Sequence, residues 1–146
     1  MRRRGALTLA VALDRVAAMP APRIVVVEDE AEVRALLVEA LEAAGYSVRG
    51  FAVGAEALAH LGGVTPDLIL LDMMMPGMDG YEFLARLRTD PGTRAIPLLI
   101  VSAVGESLAM SLDDRGARAL GVAGVLNKPL DLTNLLEHVT RVVGPA

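Results

Sequence analysis

From Arg23 onward, short runs of consecutive apolar residues alternate with longer stretches in which apolar positions recur every three or four residues. Ile24 to Val27, Tyr46 to Ala52, Leu68 to Leu71, Ile96 to Val101 and the weaker Val122 to Leu126 have the β-branched, continuously apolar character of buried strands. Between them, Val33, Leu36, Leu37, Ala40 and Leu41 mark a helix over residues 31–44, which Gly45 stops. A short helix over 55–61 closes at Gly62 and Gly63, a third spans 81–88 behind a capping Asp79, a fourth lies between Glu106 and about Leu120, and a last one spans 132–143 with Asp131 as its N-cap. Five strands each followed by a helix imply a parallel sheet covered on both faces, an α/β architecture of the (βα)5 type.

Right-handed crossovers bring the carboxyl ends of all the strands to one edge, where ligands of open α/β sheets bind. The residues that follow each apolar run therefore carry the chemistry. Glu28 and Asp29 follow the first, Asp72 the third, Ser102 the fourth and Lys128 the fifth. Like carboxylates about 4 Å apart repel by about 4 kcal/mol at an effective dielectric of 20, so something must offset them. A raised proton affinity is one answer and a hard divalent cation such as Mg²⁺, matched to oxygen ligands, is another. A carboxylate held there is also a nucleophile able to form an acyl phosphate, with a lysine and a hydroxyl to engage the transferring group. Asp72, Lys128 and Ser102 fit attacker, charge clamp and donor. Singly, each residue reads more readily as a turn, cap or solvated side chain than as a functional group; their joint appearance at the strand ends favours chemistry.

Composition narrows the alternatives. At 146 residues the chain is one domain, large enough to bury roughly 68–70% of its unfolded surface. It is 53% apolar, with a mean hydropathy of +0.48, yet no run approaches the roughly 20 residues that span a bilayer. A net charge of −4 argues against nucleic-acid binding. With no cysteine there is neither a disulfide nor a thiolate metal site, and His60 and His138 stand apart as boundary helix residues. The N-terminus, basic at Arg2 to Arg4 and apolar from Gly5 to Leu13, imitates a secretory signal that Asp14 and Arg15 interrupt. Residues 1–22 are read as a loosely attached extension bounded by Pro20 and Pro22, residues 23–143 as the domain, and 144–146 as a tail.

Taken together, RIVVVEDEAEVRALL, PDLILLDMMMPGMDGYEFLARLR, IPLLIVSA and VLNKPLDL resemble, in order, the motifs of the receiver domains of two-component response regulators. The resemblance implies a flavodoxin-like, doubly wound parallel five-stranded sheet of order 2-1-3-4-5; receivers of this kind are a standard illustration of that order. It implies Asp72 as phosphoacceptor and Ser102 and Lys128 as the phosphoryl-contacting switch residues. Mg²⁺ would be held by Asp29, Asp72 and the backbone carbonyl of Met74, with Glu28 acting mainly through water. A sensor histidine kinase or phosphotransfer protein would supply the phosphoryl group in the cytoplasm, and a protein effector would read it. No nucleic-acid or membrane partner is implied; a homodimer through the fourth helix, fifth strand and fifth helix is the family's frequent arrangement.

Several positions depart from the family pattern. Val125 replaces the aromatic residue usual three positions before the lysine, which puts an aromatic switch in doubt. The stretch from Ser102 to Lys128 is longer than usual. No output module is expected after Val143, so output would pass through protein contacts. Met74 and Val104 offer apolar side chains at the rim, from which slow self-dephosphorylation is expected, because neither can orient an attacking water. Of the methionines crowded into MMMPGM, Met73 and Met75 are expected to pack as ordinary hydrophobes while Pro76 and Gly77 shape the loop. Two other readings remain: an interaction module of the same fold that works without phosphorylation, and an aspartyl-phosphate phosphatase, which needs a proton-transferring residue where Met74 stands.

Overall fold

The computed structural model describes residues 20–75, 77–103 and 121–146. Its strands are β1 (Arg23–Val27), β2 (Ser47–Phe51), β3 (Leu68–Asp72), β4 (Leu98–Ala103) and β5 (Val122–Lys128). Its helices are α1 (Ala31–Ala43), α2 (Gly54–Leu61), α3 (Gly80–Thr89) and α4 (Leu132–Val143). The fourth helix read from the sequence falls outside the described residues, so α4 is the helix expected as the fifth. All strand pairs are parallel and the order is β2-β1-β3-β4-β5, as expected.

Each buried strand alternates its side chains between two cores, because successive residues point to opposite faces. Val25, Val27, Ile69, Leu71, Leu98 and Ile100 meet Ala57 and Leu61 of α2 and Phe83, Leu84 and Leu87 of α3. On the other face Ile24, Val26, Leu68, Leu70, Leu99 and Val101 meet Leu37 and Leu41 of α1 and Leu135 and Val139 of α4. This double burial is why the strands are written as continuous apolar runs. Phe83 is fully buried at the centre of the first core, where truncation to alanine would cost about 3–5 kcal/mol.

The helix ends follow their sequence signals. Asp79 Oδ1 accepts from Glu82 N at 2.9 Å, and Asp131 Oδ1 accepts from Thr133 N at 2.9 Å and Asn134 N at 3.4 Å. Beyond α1, Gly45 takes a φ of +101°, which L side chains rarely adopt. The start of α1 differs: Glu30 holds the N-cap position but makes no capping bond with its side chain.

β3, β4 and β5 end later than their hydrophobicity suggests, whereas β1 ends at Val27 as expected and β2 one residue early, at Phe51. β4 includes Ser102 and β5 runs through Lys128, with Ser102 paired to Asn127 and Ala103 to Lys128. Backbone pairing is indifferent to side-chain polarity, so the ladder outlasts the apolar run. β4 also begins two residues later than expected, after Pro97, whose missing N–H cannot join a ladder. The Lys128–Pro129 peptide bond is cis.

Candidate functional site

Glu28 continues the line of β1, its N–H bonded to Phe51 O at 2.9 Å. Asp72 is the last residue of β3, and the chain then folds back so that Gly80 N donates to Met73 O at 2.9 Å. Met73 and Met75 are buried, and the side chain of Met74 is 62% exposed at the rim, as expected. An added Cβ on Gly80 would sit 2.5 Å from Met73 Cα, so only glycine admits this close return. Gly77 turns the loop at a φ of +83°; Pro76 and Val104 lie outside the described residues.

The carboxylates meet as the sequence suggested. Glu28, Asp29 and Asp72 each offer an oxygen, all within 4.8 Å of one another, a spacing one cation with ligand bonds of about 2.0–2.5 Å can bridge. Glu28 and Asp72 are buried and Asp29 is half-buried. Asp72 Oδ1 accepts from Met74 N at 3.1 Å, and Glu28 Oε2 from Glu30 N at 3.1 Å. Lys128 crosses the line of β4 and β3 to reach them, its Nζ lying 3.0 Å from Glu28 Oε1 and 3.6 Å from Asp72 Oδ2. Among the described residues Lys128 is the one cation set against Glu28 Oε1, which makes no further hydrogen bond. One ammonium does not balance three carboxylates, and a hard cation fits this all-oxygen donor set. Ser102 is fully buried on β4, one residue beyond Val101, the ladder partner of Asp72.

Burial pushes the Asp72 carboxyl up to about 7, reinforced by its contact with Glu28 and by that residue's charge, and opposed by the Met74 N–H and by Lys128. Without a cation this group is therefore partly protonated at neutral pH. Burial alone would lower the Lys128 ammonium, but Glu28, Asp72 and Glu30 outweigh it and hold the lysine above its ordinary value. Lys128 is thus a fixed positive charge, while Asp72 is the group whose charge depends on what binds beside it.

Two residues at this edge escaped the sequence reading. Glu30 Oε1 lies 3.2 Å from Lys128 Nζ. Arg34, one turn into α1, donates from Nη1 to the carbonyls of Glu28 at 2.9 Å and Asp29 at 3.4 Å, bracing the acidic loop. The only sequence signal was the spacing Glu30 to Arg34, which also describes an ordinary helix-surface pair. Val125 is half-buried and packs against the Phe83 core; it supplies no aromatic ring to swing.

The fold and this edge define a doubly wound α/β domain with a carboxylate cluster and a lysine at the carboxyl ends of its strands. The sequence profile of the response regulator receiver domain matches residues 24–140, and the chain belongs to that family, the receivers of two-component systems. It is 43% identical over 122 residues to the response regulator PleD of Caulobacter vibrioides, covering 80% of this chain and 25% of PleD. It is 39% identical over 118 residues to the phosphate regulon transcriptional regulatory protein PhoB of Rhizobium meliloti, covering 81% of this chain and 50% of PhoB. The chain thus spans a quarter to a half of these relatives. Among solved structures, a response regulator from Chloroflexus aurantiacus superposes with a TM-score of 0.74 at 31% identity, over 84% of this chain and 98% of that one. The chemotaxis response regulator CheY4 of Vibrio cholerae gives 0.72 at 30%, over 84% and 98%.

Proposed function

We propose that this domain accepts a phosphoryl group on Asp72 from a phosphohistidine of a sensor kinase or phosphotransfer protein and signals through protein contacts. The observation that carries the reading is the reach of Lys128 Nζ to both Glu28 Oε1 and Asp72 Oδ2: a lysine set beside a buried carboxylate whose charge state is labile. In the reaction, an Asp72 oxygen forms a bond to phosphorus as the donor's P–N bond breaks, and the imidazole leaves with the bonding pair. Asp72 must be ionised to attack, and a raised proton affinity keeps it poised between the two forms. Lys128 then pairs with the phosphoryl oxygens it already faces, and the Ser102 hydroxyl, at the adjacent strand end, donates to the same group.

Mg²⁺ held by Asp29, Asp72 and the Met74 carbonyl, with Glu28 acting through water, would neutralise charge on the phosphoryl oxygens and favour the ionised carboxylate. The domain catalyses only its own modification. The exposed Met74 side chain has no exchangeable proton, which argues against a phosphatase and for a long-lived acyl phosphate. The working unit is residues 23–143, with 1–22 an extension and 144–146 a tail. Among the described residues no helix is long and apolar enough to cross a membrane; the cytoplasmic setting belongs to this proposal through the kinase partner alone. A dimer through the helix expected between β4 and β5, which lies outside the described residues, together with β5 and α4, is part of this proposal. Incubation with Mg²⁺ and acetyl phosphate should label the wild type and leave Asp72→Asn unlabelled; equal labelling would refute the assignment.

The half-buried Val125, packed against the core where a mobile aromatic would stand, favours a second reading in which the fold binds a partner without phosphorylation. Equal affinity of wild type and Asp72→Asn for that partner would select it.

A further inference from the structure

Lys128 is surrounded by one carboxylate more than the phosphoryl site needs. Glu30 reaches it from the solvent side, Oε1 to Nζ at 3.2 Å, with its own side chain 61% exposed. Glu30 is the N-cap of α1, where an acidic residue could be drawn to the helix's free N–H groups, yet its side chain makes no capping bond. It turns instead to a lysine 98 residues away. Its backbone N–H meanwhile binds Glu28 Oε2 at 3.1 Å, so the residue is anchored by its backbone while its carboxylate engages Lys128.

We infer that Glu30 is a positioning residue that latches Lys128 in the unphosphorylated state: its carboxylate competes with the incoming phosphoryl group for the ammonium and must be displaced as the acyl phosphate forms. An ammonium has three donors, and before phosphorylation Glu28, Asp72 and Glu30 all face it. Glu28 and Asp72 belong to the buried base of the site. Glu30 is the member open to water, and so the one whose release costs least. Displacement frees the Glu30 side chain at the N-cap of α1, a helix on the opposite face of the sheet from α2 and α3. The inference rests on the phosphoacceptor reading of Asp72.

The test uses beryllofluoride, an acyl-phosphate mimic, titrated with Mg²⁺ into the full chain and followed by amide NMR. Glu30→Gln should bind it on the order of two- to fivefold more tightly than wild type, the range a partly exposed ion pair supplies. The gap should close toward about 0.5 M salt, where an exposed charge is screened. Glu30→Asp keeps the charge but loses a methylene of reach, and should behave like Glu30→Gln. Equal affinities of wild type and Glu30→Gln would overturn the latch alone, and so would a Glu30→Asp that matches wild type, which would reduce the effect to general charge. A wild type that binds no beryllofluoride overturns the phosphoacceptor reading and the latch with it.

Discussion

Lys128 Nζ stands 3.0 Å from Glu28 Oε1 and 3.6 Å from Asp72 Oδ2, although β3 and β4 separate β5 from β1. Breaking a buried ion pair by removing one partner leaves the other charge uncompensated. Lys128→Met should therefore destabilise the protein by about 1–3 kcal/mol at pH 8, less than a full buried-pair loss because Asp72 can take up a proton. The cost should shrink at pH 5, where that proton is already bound. Urea unfolding at the two pH values checks it.

The raised affinity of Asp72 for its proton sets a pH dependence of its own. Its folded value of about 7 lies above the ordinary 3.8, so the folded state holds a proton that the unfolded chain has released between those values. The associated stability is complete below the unfolded value and is lost as pH rises through about 7. In chelator-treated protein, Asp72→Asn should match wild type near pH 4 and exceed it by on the order of 1–3 kcal/mol at pH 8. A difference independent of pH would contradict the electrostatic origin.

Gly80 provides a third test, one of construction. Its hypothetical Cβ meets backbone, Met73 Cα at 2.5 Å, and not merely a mobile side-chain tip. Gly80→Ala should cost about 1–3 kcal/mol, as overpacking does, and should slow phosphorylation by displacing the loop that follows Asp72. Thermal unfolding and acetyl-phosphate labelling report the two effects separately.

Met74 projects its side chain into solvent beside Asp72 while its N–H binds Oδ1 at 3.1 Å. An amide there could hold a water against the acyl phosphate. Met74→Asn, alone or with Val104→Glu, should lose phosphate several-fold faster than wild type in a decay assay; an unchanged half-life would show that the apolar rim does not govern signal lifetime.

The sequence was most legible where burial writes itself into composition. Strands covered on both faces must be apolar throughout, so Leu68 to Leu71 marks β3 and Asp72 stands out as the carboxylate that ends it. Asp79 and Asp131 announce α3 and α4 because capping is a local interaction. Strand ends were less legible: Ser102 and Lys128 are polar yet remain in the ladder, since backbone pairing does not depend on the side chain. Glu30 was invisible for another reason. An exposed acid in a loop looks solvated, and its partner lies 98 residues away; only the closed sheet brings them together. Arg34 was hidden in the same way, its carbonyl acceptors depending on how the loop before α1 turns.

The central claim is that Asp72 carries the phosphoryl group. Borohydride reduces an aspartyl phosphate to homoserine, which marks the modified position permanently for mass-spectrometric sequencing. After treatment with Mg²⁺ and acetyl phosphate, homoserine is expected at position 72 and not at Asp29, with no 5-hydroxynorvaline, the corresponding product of a glutamyl phosphate, at Glu28, and neither product formed when the phosphodonor is omitted. Homoserine at another aspartate, 5-hydroxynorvaline at a glutamate, or no reduced residue in a fully folded sample would contradict the account.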